Sequence, residues 1–238
     1  MSGNRCIIVT GTIVPNSNYV AVADPATRLE EYAVALRFYA DNCRDHICFI
    51  ENSTYDIEAD RAFSGLLADR GIQLIKFPPS KESDKGKGYQ EFEMLDAAVK
   101  QLSSSFESFV KITGRQRIMN IAKVCRLRCD NIIIDRYRDL RVALTNLFVV
   151  RMEFYSHHFK GAYREMDDSK GVYAEHVIYK KLRLLAGRVS LFPYSPIVRG
   201  VSGSYGRELG GNRLKFALRN AERRWLRLAG INEFARKY

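Results

Sequence analysis

The chain has 238 residues, 46% of them hydrophobic, and a formal net charge of +11, which suits one large domain with a proper core, or one domain with a small appendage. No run of about 18 apolar residues occurs, which excludes a membrane-spanning helix, and the N-terminal apolar stretch is too short for a secretory signal, so the expected location is cytoplasmic. The five cysteines show no disulfide spacing and read as reduced; Cys125 and Cys129 could share a helix face, but zinc needs more ligands than these two, and small core residues describe them.

Taken in chain order, apolar runs alternate with helical patterns. Cys6 to Ile13 reads as a buried strand. A helix follows from Thr27, where Thr27 and Glu30 form a capping box and Leu29, Tyr32, Ala33 and Leu36 keep helical spacing. His46 to Glu51 is a second strand, followed by a helix from Asp56 or Asp60 to Gly71. Ile72 to Phe77 is a third strand, stopped by Pro78-Pro79. The next helix opens on Lys85-Gly86-Lys87-Gly88 and carries Phe92, Leu95, Val99 and Leu102 on one face. Phe109 to Thr113, Asn131 to Asp135 and Thr145 to Phe154 are the remaining strands, and a further helix starts near Lys170. The alternation predicts an α/β fold with a mostly parallel sheet flanked by helices, occupying residues 1–192.

Residues 193–238 differ. Gly200, Gly203, Gly206, Gly210 and Gly211 predict a loop or mobile lid. A basic amphipathic helix then places Leu214, Leu218, Ala221, Trp225 and Leu228 on one side and Arg213, Lys215, Arg219, Arg223, Arg224 and Arg227 on the others. Residues 1–175 hold 24 Lys+Arg and 24 Asp+Glu, whereas residues 176–238 hold 14 and 3, so the whole charge excess lies in the last quarter. Such an end suits a polyanionic partner: an anionic membrane surface contacted through residues 213–228, a nucleic acid or a phosphorylated substrate. The same stripe would equally suit packing on the core with arginine facing water.

Lys85-Gly86-Lys87-Gly88 opens a helix, where free N–H groups and a partial positive charge favour an anion; glycines admit a phosphate and lysines add charge. The spacing is not that of a P-loop, and a solvated turn is the plain alternative. Lys111, Gly114 and Arg115 stand at the carboxyl end of a central strand, the edge where open α/β sheets bind ligands. Lys111 lies within an apolar strand and requires an anionic neighbour, in a ligand or in a structural ion pair. Asn52 and Ser53 follow the second strand at the same edge and could bond a base or ribose, or form a turn. His157 and His158 diverge too far to grip one ion.

Four features in this order carry a resemblance: Pro25-x-x-Arg28-Leu29 before a tyrosine-rich helix, Glu51-Asn52-Ser53, KGKGYQE over 85–91, and KITGR over 111–115. They resemble bacterial glycosyltransferases of capsule and O-antigen assembly that use nucleotide-sugar donors. Gln90 and Gln116 depart from the glycine and tyrosine usual there, and the resemblance covers roughly residues 5–180. It implies a GT-A-like (Rossmann-type) domain that transfers a sugar to a growing, lipid-linked surface glycan, on the inner face of the cell membrane. It places Lys85, Gly86, Lys87, Gly88, Lys111 and Arg115 on the donor phosphates, and Thr10, Arg28, Asn52, Ser53, Glu91 and Gly114 around nucleotide and sugar. Such enzymes usually hold a divalent metal on an Asp-x-Asp after the fourth strand. Thr113-Gly114-Arg115 stands there instead and no Asp-x-Asp occurs. No metal ligand is therefore assigned, although Mg²⁺ or Mn²⁺ stays open, and the four cations would stabilise the leaving phosphate directly. For an inverting reaction the candidate bases are Glu175, Asp168 and Asp135, in that order; helix capping by Asp167 or Asp168 is the other reading of that stretch.

Two rivals remain. A basic nucleic-acid-binding protein fits the charge, but no zinc-finger or RNP-type motif is present. A sugar nucleotidyltransferase would need a cationic glycine-rich loop after the first strand, and VTGTIVPN has no such cations.

Overall fold

The computed structural model describes residues 4–16, 22–137, 141–201, 208–209 and 213–229, with 201, 208, 209, 213–215, 226 and 227 in backbone alone. Its first half runs β1 (Arg5–Gly11), α1 (Pro25–Asn42), β2 (His46–Glu51), α2 (Arg61–Asp69), β3 (Gln73–Lys76), α3 (Lys87–Leu102) and β4 (Ser108–Thr113). Then come β5 (Arg117–Ile118), α4 (Ile121–Val124), β6 (Ile132–Tyr137), β7 (Val142–Arg151), α5 (Met152–His158), α6 (Ala174–Leu184) and β8 (Val189–Ser190). The last described elements are β9 (Val198–Val201), β10 (Glu208–Leu209) and α7 (Arg213–Leu228).

The main sheet has the order β3-β2-β1-β4-β7-β6-β8. Every pairing is parallel except those of β7, which runs against both β4 and β6. Its strands are buried on both faces, which is why they read as unbroken apolar runs. On one face Tyr32, Leu36 and Tyr39 of α1 and Phe63 of α2 pack on Ile7, Val9 and Phe49. On the other, Phe92, Leu95 and Val99 of α3, Tyr155 of α5 and Ile178 of α6 pack on Ile8, Phe109 and Phe148. β5, β9 and β10 form a second, small antiparallel sheet.

Several boundaries shift for local reasons. The cap of α1 is Asp24, whose carboxylate accepts from Thr27 N and Oγ1, with Pro25 in the first turn; Thr27 is thus inside the helix, since proline suits its first turn. Asp60 caps α2. The strand expected at 145–154 is β7, ending at Arg151, and Phe154 belongs to α5. The helix expected near Lys170 begins at Ala174, because Asp168–Lys170 makes a separate 3₁₀ turn ended by Gly171. The loop expected after Pro193 contains β9, paired with β5; Gly203, Gly206, Gly210 and Gly211 lie outside the described residues.

Helix α7 is fixed to this body through polar groups. Arg223 donates to both carboxylate oxygens of Asp135, at 2.8 and 2.6 Å, and to Phe192 O at 2.8 Å. Ser195 N donates to Asn220 Oδ1 at 2.7 Å. The described large side chains of the apolar stripe are not packed on the core: Leu218, Trp225 and Leu228 are 62%, 59% and 89% exposed.

Candidate active site

The strand order reverses between β1 and β4: β2 and β3 lie to one side of β1, and β4 and the remainder to the other. Crevices for ligands open at the carboxyl ends of strands at such a point. Thr10-Gly11-Thr12, Glu51-Asn52-Ser53 and Thr113-Gly114-Arg115 all converge there. Gly114 N donates to Thr10 O at 2.9 Å, and a Cβ on Gly114 would stand 2.3 Å from that oxygen and 2.7 Å from the Tyr32 ring. Gly114 thus lets the end of β4 close over the end of β1.

The KGKGYQE and KITGR stretches meet at this switch point. Lys111, fully buried, donates to Glu91 Oε1 at 2.7 Å, to Thr113 Oγ1 at 2.9 Å and to Thr145 O at 2.8 Å. Thr10 and Thr113 hydroxyls donate to the same Glu91 oxygen, at 2.5 and 3.1 Å. Burial would raise the Glu91 carboxyl, but the Lys111 charge and these hydrogen bonds outweigh it and hold it below its ordinary value. Lys111 therefore reaches no surface of its own. The side chain of Glu91 keeps 23% exposure, and its Oε2 receives no hydrogen bond among the described residues.

Arg28 and Arg115 lie on the α1 side, both buried. Arg115 pairs with Glu31 at 2.5 Å. Arg28 donates to Thr12 O, Val22 O and Tyr32 OH at 2.8, 3.0 and 3.2 Å, while Tyr32 OH accepts from Thr12 N at 2.9 Å. Burial, and then the nearby Arg115 charge, push the Arg28 pKa down. Glu51 accepts from Ile13 N and Ser53 N at 3.0 and 2.9 Å and faces Lys76 at 3.5 Å. Thr12 Oγ1 donates to Asn52 Oδ1 at 2.7 Å. Among the described residues, Arg28, Lys111 and Arg115 face Glu31 and Glu91 while Lys76 faces Glu51, so these seven groups leave one net positive charge at the switch point. Glu31 and Glu51 were not picked out as site residues from the sequence. The signal that finds Glu31 is the rule that a buried cation requires a partner, applied one helical turn after Arg28.

The mouth of α3 has a different occupant from the one its lysines suggest. Gly86 has φ +94°, a conformation that favours glycine. A Cβ there would stand 2.3–2.5 Å from the Asp168 carboxyl group, and one on Gly88 would stand 3.0 Å from Ala174 Cβ. Asp168 accepts from Lys87 N at 3.1 Å and from Gly88 N. The carboxylate thus caps α3, and the glycines admit it together with the start of α6. Burial pushes the Asp168 pKa up, with Glu175 adding to the rise and the α3 N–H groups opposing it. Lys85 pairs with Glu82 at 3.1 Å and lies over the Tyr89 ring at 4.9 Å.

Of the other candidate bases, Glu175 is half-buried in the first turn of α6 and has no hydrogen bond or ion pair among the described residues. Asp135 is engaged by Arg223 and by Phe192 N at 3.2 Å. His157 and His158 border a shallow depression of about 310 Å³, also lined by Asp130, Asn131, Arg151 and Arg188, at the opposite edge of the sheet. Among the described residues no three His, Cys, Asp or Glu side chains converge as metal ligands. Of the described carboxylates at this edge, Glu91 and Glu31 are already paired with Lys111 and Arg115, and Glu51 faces Lys76. The residues at this edge do not fit the divalent ion that a GT-A fold often carries.

No protein-family model matches the chain, and no curated protein matches it. Among solved structures, a protein from Desulfovibrio desulfuricans G20, provisionally described as a nucleotide-diphospho-sugar transferase, superimposes with a TM-score of 0.52 at 12% identity. The match covers 80% of this chain and 80% of that one. At that identity the likeness establishes the fold. The chain has a GT-A-like α/β architecture, a mostly parallel sheet flanked by helices. No helix among the described residues is long and apolar enough to cross a membrane.

Proposed function

We propose that the protein is a glycosyltransferase that moves a sugar from a nucleotide-sugar donor to a growing, lipid-linked surface glycan, working beside an anionic membrane. The observation that carries the reading is the meeting of the KGKGYQE and KITGR stretches, through Glu91 and Lys111, beside Arg28 and Arg115 at the switch point of a GT-A-like sheet. Positive charge preorganised in a poorly solvated crevice stabilises the charge that develops on a departing nucleoside diphosphate.

In this reading the base and ribose lie against Asn52 and Ser53. The donor's negative end faces the α3 mouth, where Lys85 and Lys87 stand beside the crevice. Glu91, held by Lys111 and both threonines, turns its second oxygen to the sugar hydroxyls. Lys111 acts through Glu91 and is a positioning residue. Glu175 is the favoured base for the acceptor hydroxyl, because Asp168 caps α3 and Asp135 is held by Arg223. The capsule and O-antigen assignment of the acceptor rests on the sequence resemblance and on the basic α7.

The test is a thermal-shift screen of UDP, GDP, CMP and dTDP, each with and without Mn²⁺. A nucleotide at about 100 times its Kd stabilises the fold by about 2.7 kcal/mol, so one of the four should raise Tm by several degrees without the metal. No shift with any of them, with or without Mn²⁺, would overturn the reading.

A further inference from the structure

Helix α7 presents to solvent the side that an amphipathic helix ordinarily buries. At about 100° per residue, Leu218, Ala221, Trp225 and Leu228 fall within an arc of about 80°. Asn220 and Arg223, which hold the helix to the body, lie roughly opposite. The outward direction of the stripe is therefore imposed by the anchors. Arg223, which by composition looks like one more surface cation, is 15% exposed and bound to Asp135.

We infer that α7 is a fixed bracket by which the protein lies on an anionic lipid surface. Leu218, Trp225 and Leu228 enter the interface, exposed Arg224, which flanks the stripe, meets the headgroups, and Arg223 orients the helix from behind. Charge selects the occupant. The helix carries six Lys+Arg and one acid, Glu222. A second copy of this chain laid on the stripe would bring two such helices together, whereas an anionic leaflet attracts each basic side chain near it. Tryptophan and leucine beside arginine is the composition of a helix lying in the interface plane.

The anchor also fixes where the surface lies. Asp135 is in the carboxyl half of β6, which runs in the same direction as β1 and β4. α7 is thus tied down at the same sheet edge as the crevice. If the glycosyl-transfer reading holds, a lipid-linked acceptor reaches the protein at the edge where the donor binds; the docking itself does not depend on that reading.

Trp225 is the only tryptophan in the chain, so intrinsic fluorescence reports on this helix alone. The full-length protein is mixed with vesicles of phosphatidylcholine, with or without about 30% phosphatidylserine. Expected are a blue shift and co-sedimentation with the anionic vesicles only, weakened by salt. L218D/L228D, which alters exposed positions and should keep the wild-type circular dichroism, should bind about tenfold or more weakly. The inference is overturned by an unshifted Trp225 on anionic vesicles, or by equal binding to neutral ones. It is also overturned by a concentration-dependent blue shift without lipid that tracks a dimer in sedimentation, which would place a second copy on the stripe. Nucleotide-induced thermal shifts, measured without vesicles, remain a separate readout of the donor site.

Discussion

Lys111 and Arg115, at the end of β4, are buried, and each meets a carboxylate carried in from a helix, Glu91 or Glu31. Lys85 and Lys87, at the mouth of α3, stay partly exposed, and the carboxylate that arrives there, Asp168, is received by backbone N–H groups. The two stretches look alike in composition, lysine and glycine at the carboxyl edge of a sheet. The first neutralises its cations inside the protein and leaves a carboxylate oxygen facing out. The second uses its glycines to admit a carboxylate and keeps its side-chain cations at the surface. A basic motif at a ligand edge is thus defined by where its counter-charge comes from.

The sharpest way to break this contrast is to remove one member of the buried pair. K111M leaves the Glu91 carboxylate without its cation, and E91Q leaves a fully buried ammonium unpaired. Each should cost about 3–5 kcal/mol in urea unfolding. K111M/E91L should regain part of that, because no orphaned charge remains. Wild-type stability in K111M would mean that water reaches position 111, and the pair would lose its role as the floor of the crevice.

Much of this arrangement could be read before any coordinates. The six longer strands, β1 to β4, β6 and β7, and their order along the chain follow from apolar runs punctuated by Gly, Pro and caps, whereas the short β5, β8, β9 and β10 have too few residues to show a pattern; the demand of Lys111 for an anion follows from the cost of a lone buried charge. The partners could not be read. Glu91 lies 20 residues before Lys111, Asp168 lies 81 after Lys87, and Asp135 lies 88 before Arg223; only the folded topology brings each pair together. The same limit applies to the antiparallel direction of β7, whose apolar run carries no mark of orientation. It applies again to α7, where composition allowed either face to point inward until Asp135 selected Arg223.

At the α3 mouth the expected effect is smaller and of a different kind. G86A puts a Cβ into the Asp168 carboxyl group and strains a residue at φ +94°, which should cost about 1–3 kcal/mol. G86A should cost less when added to D168G than when added to wild type, since the clash with the carboxyl group is gone and only the backbone strain at residue 86 persists. If the two costs are equal, the carboxylate does not occupy the mouth, and the place is open for a ligand's phosphate. K85A, by contrast, should leave Tm unchanged while weakening any nucleotide shift.

The mildest test uses acid, because the two carboxylates are shifted in opposite directions. The pKa of Glu91 is lowered on folding, so its contribution is present above the ordinary carboxylate value of about 4 and is lost as pH falls through the lower folded value. That of Asp168 is raised, so its ionisation destabilises the fold as pH climbs from about 4 through the higher folded value. D168N keeps an oxygen that can accept from the α3 N–H groups but cannot ionise. In urea unfolding across this range it should gain on wild type as pH rises just above the ordinary value, while its acid limb below about 4, to which Glu91 and the other lowered carboxylates Asp24, Asp60 and Asp167 contribute, stays as steep. Parallel curves for wild type and D168N would show that the Asp168 carboxylate is as well solvated in the fold as in the unfolded chain. The contrast between a neutralised β4 end and a self-capped α3 mouth would then reduce to the Lys111–Glu91 pair alone.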